Sequence, residues 1–218
     1  LPKKYNQVVE DWVLLKKINN NENINTVKIA ITSSAYKLNV SMLKMIASLQ
    51  NNYKERIEFN YFVAGSTGNI FYKIASLLNK ATNGRVKIFP HLRYEEYMNN
   101  LSKCDLFLSP FPFGMSNSLM DCVSQGLLGA CLSGETIVQD CEKKMFQSLG
   151  LSKFVCTNEN EYFKLMSDLI NCLLKKDDKI IKEVQLLPKP KLSIENMSTW
   201  KDEDYKEFNE MINSCIKD

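Results

Sequence analysis

The sequence predicts an α/β fold in which a parallel β-sheet carries helices on both faces. Three observations lead to this prediction. Short apolar runs rich in β-branched residues recur along the chain, amphipathic segments with helical spacing separate them, and polar loops with glycine or proline end several of the runs. Strands that alternate with helices at this spacing form βαβ units, and the strands of such units are parallel.

The predicted elements follow one another along the chain. Apolar runs predict strands at residues 27–32, 57–64, 86–89, 105–109 and 129–133. Apolar residues at helical spacing predict helices near residues 8–15, 40–49, 70–78, 94–101, 116–125, 136–148, 159–175 and 202–216, the second capped by Asn39 or Ser41. Pro188 and Pro190 predict a connection before the last helix. The predicted domains are a linker with a helix at residues 1–26, the sheet domain at 27–187, and a C-terminal extension with a helix at 188–218.

Composition and charge restrict the class of protein. Charged residues make up 24% of the 218 residues and the net charge is +3, with Lys and Arg interspersed among Asp and Glu. This distribution lacks the concentrated basic face of a nucleic-acid-binding protein, although it suits a ligand that carries phosphate. No apolar stretch reaches the length that spans a bilayer, and no signal peptide precedes the predicted domain. We therefore expect a cytoplasmic protein with no nucleic-acid partner and no membrane span.

Cysteine and histidine usage bears on redox state and metal binding. The seven cysteines are odd in number, form no C-x-x-C pair and fall in several apolar runs, which favours buried, reduced thiols over disulfides or a zinc site. His91 is the only histidine, so a histidine-rich metal site cannot form within the chain. We expect neither a metal ion nor another cofactor.

The candidate binding residues lie in the loops that follow the predicted strands. In an open parallel sheet, ligands bind beyond the carboxyl ends of the strands, where helix N-termini point. These loops contain Lys37, then Gly65 and Ser66, His91, Gly114 and Ser116, and finally residues 133–135. The glycines at 65 and 68 do not form a G-x-G-x-x-G fingerprint, and the histidine, taken alone, favours a structural role.

The segment 110–121 is the most informative of these loops. Two prolines and a glycine fix a stiff turn, and Ser116 or Asn117 then begins a helix, whose free N–H groups and positive end suit a phosphate or diphosphate. Asp121 lies one turn further along the same helix face and could accept hydrogen bonds from both hydroxyls of a ribose. The alternative is that Asn117 only caps the helix and Asp121 is a solvated acid.

Lys37 also has two interpretations. A lone lysine in a loop is typical of a solvated surface charge. If it lies beside a diphosphate, it would instead stabilise the negative charge that develops on a departing nucleotide.

One stretch of the chain resembles a known enzyme family. Residues 104–131 (CDLFLSPFPFGMSNSLMDCVSQGLLGAC) are similar to the bacterial cytoplasmic N-glucosyltransferases that glycosylate high-molecular-weight adhesins, which are distant relatives of the O-linked N-acetylglucosamine transferases. Further matches occur in order and spacing at residues 33–39 (SSAYKLN), 90–97, 146–151 (FQSLGL) and 160–162. The similarity covers roughly residues 1–174, and PFPFG followed by N-x-x-x-D is its most specific part.

The resemblance implies a GT-B architecture, in which two Rossmann-like halves enclose the active site and the C-terminal half binds UDP-glucose without a metal ion. This chain would be that C-terminal half. Lys37 would contact the diphosphate and stabilise the leaving group, Asn117 and its helix N-terminus would hold the phosphates, and Asp121 would bind the ribose hydroxyls. His91 and Tyr94 would line the pocket for the base or the phosphates.

Two segments depart from the family pattern. Family members carry a small polar pair and a glycine around Asn117, where this chain has GMSNS at residues 114–118, and a histidine-bearing segment where it has ETIVQD at 135–140. The opening LPKK resembles the segment that crosses from the first half to the second. We therefore expect three partners: a UDP-sugar donor, an acceptor protein or glycan, and an N-terminal half or another subunit. The chain alone is expected to be inactive.

Two other functions remain open from the sequence. The altered segment 135–140 and the expected separate half are compatible with a non-catalytic accessory or scaffolding module that assists another glycosyltransferase. A flavodoxin-like module with another ligand is the weaker alternative, because the loop after the first strand lacks a Ser/Thr-rich cradle for a flavin phosphate.

Overall fold

The centre of the molecule is a sheet of six parallel strands in the order β3-β2-β1-β4-β5-β6. The computed structural model describes residues 8–198 except 64, 66, 67, 116, 135 and 177. The strands are β1 Val27–Ser33, β2 Ile57–Val63, β3 Val86–Phe89, β4 Leu106–Leu108, β5 Leu128–Leu132 and β6 Val155–Cys156. The helices are α1 Val13–Asn19, α2 Val40–Tyr53, α3 Gly68–Ala81, α4 Tyr94–Leu101, α5 Asn117–Ser124, α6 Ile137–Ser148, α7 Glu159–Lys175, α8 Asp178–Gln185 and α9 Pro190–Ser198.

The predicted α/β class is confirmed, and the core explains why the apolar runs form strands. A parallel strand covered on both faces needs a nearly continuous apolar sequence. Strand β1 meets this need, since it is buried from Ile29 to its end. Helices pack on the sheet through large side chains, as where Phe107 of β4 meets Phe146 of α6 with ring centroids 6.1 Å apart. The predicted cap of α2 is also confirmed, because the Asn39 side chain accepts a hydrogen bond from the Met42 N–H.

The strand order places a crevice beside the central strand. From β1 the chain proceeds outwards through β2 to β3, and then returns to the other side of β1 for β4, β5 and β6. The loops after β1 and β4 therefore leave the sheet in diverging directions, which opens a ligand crevice at the carboxyl ends of these two strands.

Helix α1 differs from the prediction, which placed a helix near residues 8–15. Residues 9–13 are instead tied to the turn between α5 and β5, through hydrogen bonds from Val9 N–H to the Ser124 carbonyl and from Val13 N–H to the Gly126 carbonyl. The chain at Trp12 is extended, and the indole, only 1% exposed, donates to the Pro188 carbonyl. Tertiary hydrogen bonds thus delay the helix until residue 13.

The sequence predicted a connection without helix at Pro188 and Pro190, and this prediction is wrong for Pro190. Pro190 begins helix α9, which packs against α5 and α6. Proline is accepted at the first position of a helix because its missing N–H would have no intrahelical partner there. Helix α8 and strand β6 were not predicted, and the predicted helix at residues 202–216 lies outside the described residues.

The cysteines mostly agree with the expected buried thiols. Five of the six described cysteines are buried, whereas Cys141 is exposed on α6; Cys215 lies outside the described residues. Within the part of the chain that the structure describes, no helix is long and apolar enough to cross a membrane.

Candidate functional site

A cleft of about 400 Å³ opens at the carboxyl edge of the sheet. It lies over the ends of β1 and β2 and against the start of α5. Its lining residues are Thr32, Phe62, Val63, Pro90, His91, Leu92, Arg93, Tyr94, Tyr97, Asn117, Ser118 and Asp121. The structure thus brings together four of the residues that the sequence proposed, namely His91, Tyr94, Asn117 and Asp121.

Lys37 lies beside the segment that leads into α5. It ends a short 3-10 turn after β1, is half-buried, and donates a hydrogen bond of 2.7 Å from its Nζ to the Gly114 carbonyl oxygen. Gly114 stands three residues before α5 and has a φ of +60°, which favours glycine. The Lys37 side chain is therefore tethered to the segment that leads into α5 and is not fully solvated.

The loop between β4 and α5 is fixed at several further points. The Asn39 Nδ2 donates to the Phe111 carbonyl at 2.5 Å, and the Tyr162 hydroxyl donates to the Ser109 carbonyl at 2.7 Å. The same asparagine therefore caps α2 and ties this loop to the loop after β1. Asn117, the first residue of α5, is exposed on the cleft side, so the helix N-terminus is accessible to a ligand.

Asp121 is not the solvated acid of the alternative interpretation. It is only 8% exposed, and its Oδ1 accepts a hydrogen bond of 3.0 Å from the Tyr94 hydroxyl. Burial raises the pKa of the Asp121 carboxyl, while hydrogen bonds from Tyr94 and Tyr97 lower it. Burial also raises the pKa of Tyr97, so this hydroxyl stays protonated and can donate. The cleft therefore contains a carboxylate held in place by phenols and facing a space large enough for a ligand.

Aromatic side chains form the apolar side of the cleft. Phe62 stacks on Phe89 with ring centroids 4.6 Å apart, and Tyr97 meets Phe62 edge to face at 5.4 Å. His91 and Pro90 are exposed at the rim. A cleft with planar apolar groups on one side and a carboxylate and a helix N-terminus on the other suits an amphipathic ligand with a flat ring and an anionic group.

Three of the described residues that the sequence predicted for the site, Lys37, Gly65 and Gly114, are not among the residues that line the cleft. Gly65 follows β2 with a φ of +71° and is exposed, but it does not line the cleft. Ser66 and Ser116 lie outside the described residues. Among the described residues, no group of three or more His, Cys, Asp or Glu side chains is arranged to hold a metal ion.

The sequence analysis missed Glu142 of α6, a second buried acid next to the site. It is 4% exposed, and its Oε1 accepts hydrogen bonds from the Ser109 hydroxyl and, at 2.8 Å, from the Met115 N–H. Burial raises the pKa of the Glu142 carboxyl and these hydrogen bonds lower it. One signal was present in the sequence: Glu142 stands four residues before the buried Phe146, on the apolar stripe of its helix.

Comparison with known proteins identifies relatives for part of the chain. No family model matches the sequence. Two curated relatives are named UDP-glucose:protein N-beta-glucosyltransferase and come from Actinobacillus pleuropneumoniae, serotype 5b (strain L20) and serotype 7 (strain AP76). Each is 28% identical over 137 residues, which cover 63% of this chain and 22% of the relative. The chain therefore spans less than a quarter of the length of the curated relatives it matches.

Solved structures extend the comparison to the fold. An O-GlcNAc transferase from Thermobaculum terrenum, solved as a mutant, has a TM-score of 0.68 at 11% identity, over 86% of this chain and 35% of that protein. The resemblance noted in the motifs is thus confirmed by sequence and by fold. The chain is similar in sequence to two bacterial protein glucosyltransferases, and its sheet domain shares the Rossmann-like fold of part of the O-GlcNAc transferase.

Proposed function

We propose that this chain is the donor-binding half of a protein glycosyltransferase that uses a UDP-hexose. The observation that carries the proposal is the position of Lys37: its ammonium is held at the carbonyl of Gly114, three residues before α5, and the first residue of α5 lines the cleft that contains Asp121. A cation, a helix N-terminus and a buried carboxylate lie along one edge of the sheet, which supports the proposal. UDP-glucose is the donor we propose, because both curated relatives carry it in their name.

Each part of the donor has a counterpart in the site. The diphosphate would lie at the N-terminus of α5, whose free N–H groups and dipole favour an anion. Asp121 would accept both ribose hydroxyls, because a carboxylate that already receives the Tyr94 hydroxyl retains further lone pairs. The uracil would lie toward His91 and the aromatic side of the cleft.

The chemistry that follows from this arrangement is stabilisation of the departing UDP. Transfer of the hexose leaves negative charge on the diphosphate, and preorganised cations and dipoles stabilise such charge strongly in a cleft that excludes part of the water. Lys37 and the α5 N-terminus would supply these groups without a metal ion. The acceptor and the groups that activate it belong to the other half, so we propose that this chain binds the donor but does not transfer the sugar by itself.

A titration of the 218-residue chain with UDP and with uridine tests the proposal. Calorimetry should show UDP binding, and Lys37→Ala should weaken UDP binding by about tenfold, the cost of one charge-assisted contact, but weaken uridine binding by less than about twofold. Lys44→Ala is the matched control, because it removes the same charge from an exposed position on α2. A folded chain that does not bind UDP at millimolar concentration would contradict the proposal.

One observation favours a second candidate, a non-catalytic accessory module. The N-terminus of α6 is closed by its own side chains, since the Thr136 hydroxyl accepts from the Gln139 N–H and the Gln139 side chain accepts from the Thr136 N–H. In this segment, the relatives that the sequence resembles carry histidine. An assay of the full-length gene product decides between the two candidates: release of UDP from UDP-glucose on repeated turnover eliminates the accessory module, and binding without release supports it.

A further inference from the structure

The peptide group between Gly114 and Met115 is held from both sides. Its carbonyl oxygen accepts from the Lys37 Nζ at 2.7 Å, and its N–H donates to the Glu142 Oε1 at 2.8 Å. Because a peptide group is planar, the two contacts together fix its rotation. Glu142 and Lys37 are thus linked through one peptide plane, although their side chains belong to different elements.

Close packing at Gly114 strengthens this link. A Cβ at position 114 would lie 2.6 Å from the Glu142 Oε2, so the carboxylate fills the space that any other residue would need. The same carboxylate accepts from the Ser109 hydroxyl at the beginning of the loop. Glu142 therefore holds both ends of residues 109–115, the loop that leads from β4 to the N-terminus of α5.

We propose that Glu142 is a positioning residue for the diphosphate of the donor. By fixing the Gly114–Met115 peptide, it sets the position of the carbonyl that holds the Lys37 ammonium beside α5. This inference rests on the proposed function, because it assigns a role within the same site. Glu142 itself lies behind the loop and does not touch the donor, so its effect is transmitted through the peptide and confined to the phosphate end of the ligand.

Two substitutions separate the geometry of the Glu142 side chain from its charge. Glu142→Asp keeps the charge but is one methylene shorter, so its oxygens withdraw from the Met115 N–H. Glu142→Gln keeps the reach and the acceptor oxygen but removes the charge. A positioning role predicts that the shorter side chain has the larger effect. Lys144→Ala is the control on the same helix, since its side chain is 72% exposed.

The experiment measures the affinity of each variant of the 218-residue chain for UDP and for uridine. We expect Glu142→Asp to weaken UDP binding by about tenfold and Glu142→Gln by about threefold, with uridine changed by less than about twofold in both. Hydrogen exchange of the Met115 amide, which should accelerate in Glu142→Asp, verifies that the intended contact is lost. The circular dichroism spectrum verifies that each variant is folded.

The possible results are distinct. A folded Glu142→Asp variant that binds UDP as well as the parent overturns the inference, and so does an equal loss for UDP and uridine, which would indicate a general structural effect. If Glu142→Asp does not fold, Glu142→Gln decides: a loss for UDP that exceeds the loss for uridine supports the inference, and an equal loss or none overturns it. Absence of UDP binding by the parent chain contradicts the proposed function itself.

Discussion

Two buried acids flank the start of α5, and their surroundings differ. Asp121 is 8% exposed and Glu142 is 4% exposed, and burial raises the pKa of both carboxyls. Asp121 faces the cleft, where the Tyr94 and Tyr97 hydroxyls are its hydrogen-bond donors. Glu142 faces the protein, and its donors are a backbone N–H and a serine hydroxyl of the loop. Similar burial therefore supports two roles: one acid is available to a ligand, and the other holds the loop on which the ligand would rest.

The largest expected difference between the two acids is in stability. Glu142→Ala leaves the Met115 N–H and the Ser109 hydroxyl without their acceptor in a dry environment, and an orphaned buried donor costs about 1–3 kcal/mol. Asp121→Ala leaves the Tyr94 and Tyr97 hydroxyls without their acceptor, but both line a cleft that water can enter, so the cost is smaller. We expect Glu142→Ala to lose at least about 2 kcal/mol more free energy of unfolding than Asp121→Ala.

Urea unfolding of both variants beside the parent measures this difference. Leu108→Ala provides a scale, because it empties a fully buried site of β4 and should cost about 2–5 kcal/mol. If both variants lose the same free energy of unfolding, water in the cleft does not replace Asp121 as the partner of the Tyr94 hydroxyl. The proposed difference between Asp121, which faces the cleft, and Glu142, which faces the protein, would then be wrong.

The next largest effect concerns recognition of the ribose. Asp121→Asn keeps the shape of the side chain but replaces an oxygen acceptor by an amino group and removes the charge. One of two hydrogen bonds to the ribose hydroxyls is then lost and the other weakened, so uridine binding should weaken by about tenfold. Deoxyuridine, which lacks one of these hydroxyls, should lose less when the same substitution is made. Calorimetric titration of both nucleosides gives the comparison.

Uridine binding by a Glu142 variant serves as the comparison for Asp121→Asn. Glu142→Gln should leave uridine binding within about twofold of the parent, since this acid lies on the far side of the loop. If Asp121→Asn binds uridine as tightly as the parent, Asp121 is not the ribose acceptor. If Glu142→Gln weakens uridine binding as much as Asp121→Asn, the two acids do not have separate roles.

The spacing of apolar residues predicted most of the strands and helices, because these elements depend mainly on residues that are close in sequence. The strands β1, β2 and β3 and the helices α6 and α7 agree with their predicted ranges within two residues. The start of α1 could not be predicted in this way, because Val9 and Val13 donate to carbonyls more than a hundred residues away. Helix α9 was missed for another reason: proline is a helix breaker in the middle of a helix and a normal first residue at its start.

The location of the candidate site could be predicted from the sequence, because the order and direction of the strands determine which loops lie at the same edge of the sheet. The carboxyl ends of parallel strands lie at one edge, so the loops with Lys37, His91 and Asn117 had to meet there once the strands were known. The contacts that give these residues their roles depend on side-chain packing. The hydrogen bond from Tyr94 to Asp121 and the one from Lys37 to Gly114 join residues that are 27 and 77 positions apart, and no spacing rule covers them. Glu142 was missed because its partner is a backbone N–H, which the sequence does not distinguish from any other.

The smallest expected effect tests how Tyr94 tunes Asp121. Burial raises the pKa of the Asp121 carboxyl above the ordinary 3.8, and the Tyr94 hydroxyl lowers it by donating to the ionised form. The ionised carboxylate is the better acceptor for ribose hydroxyls, so uridine should bind more tightly as pH rises through the pKa. Tyr94→Phe removes one donor, which moves the pKa further up. The variant should therefore bind uridine about threefold more weakly than the parent near pH 5 and approach it as pH rises to about 7.

Uridine is the suitable ligand for this pH series because it carries no phosphate whose own titration would change binding. His91 lines the same cleft in both proteins, so its contribution cancels when the affinity of the parent is divided by that of the variant at each pH. Tyr97 still donates to Asp121 in the variant, which is why the expected effect is small. A ratio of affinities that stays constant from about pH 5 to about pH 7 would mean that the phenol only shapes the cleft. A ratio of parent to variant affinity that falls toward one would show that the Tyr94 hydroxyl of α4 controls the charge of Asp121 in α5, and that Asp121, unlike Glu142, is adjusted for binding a ligand.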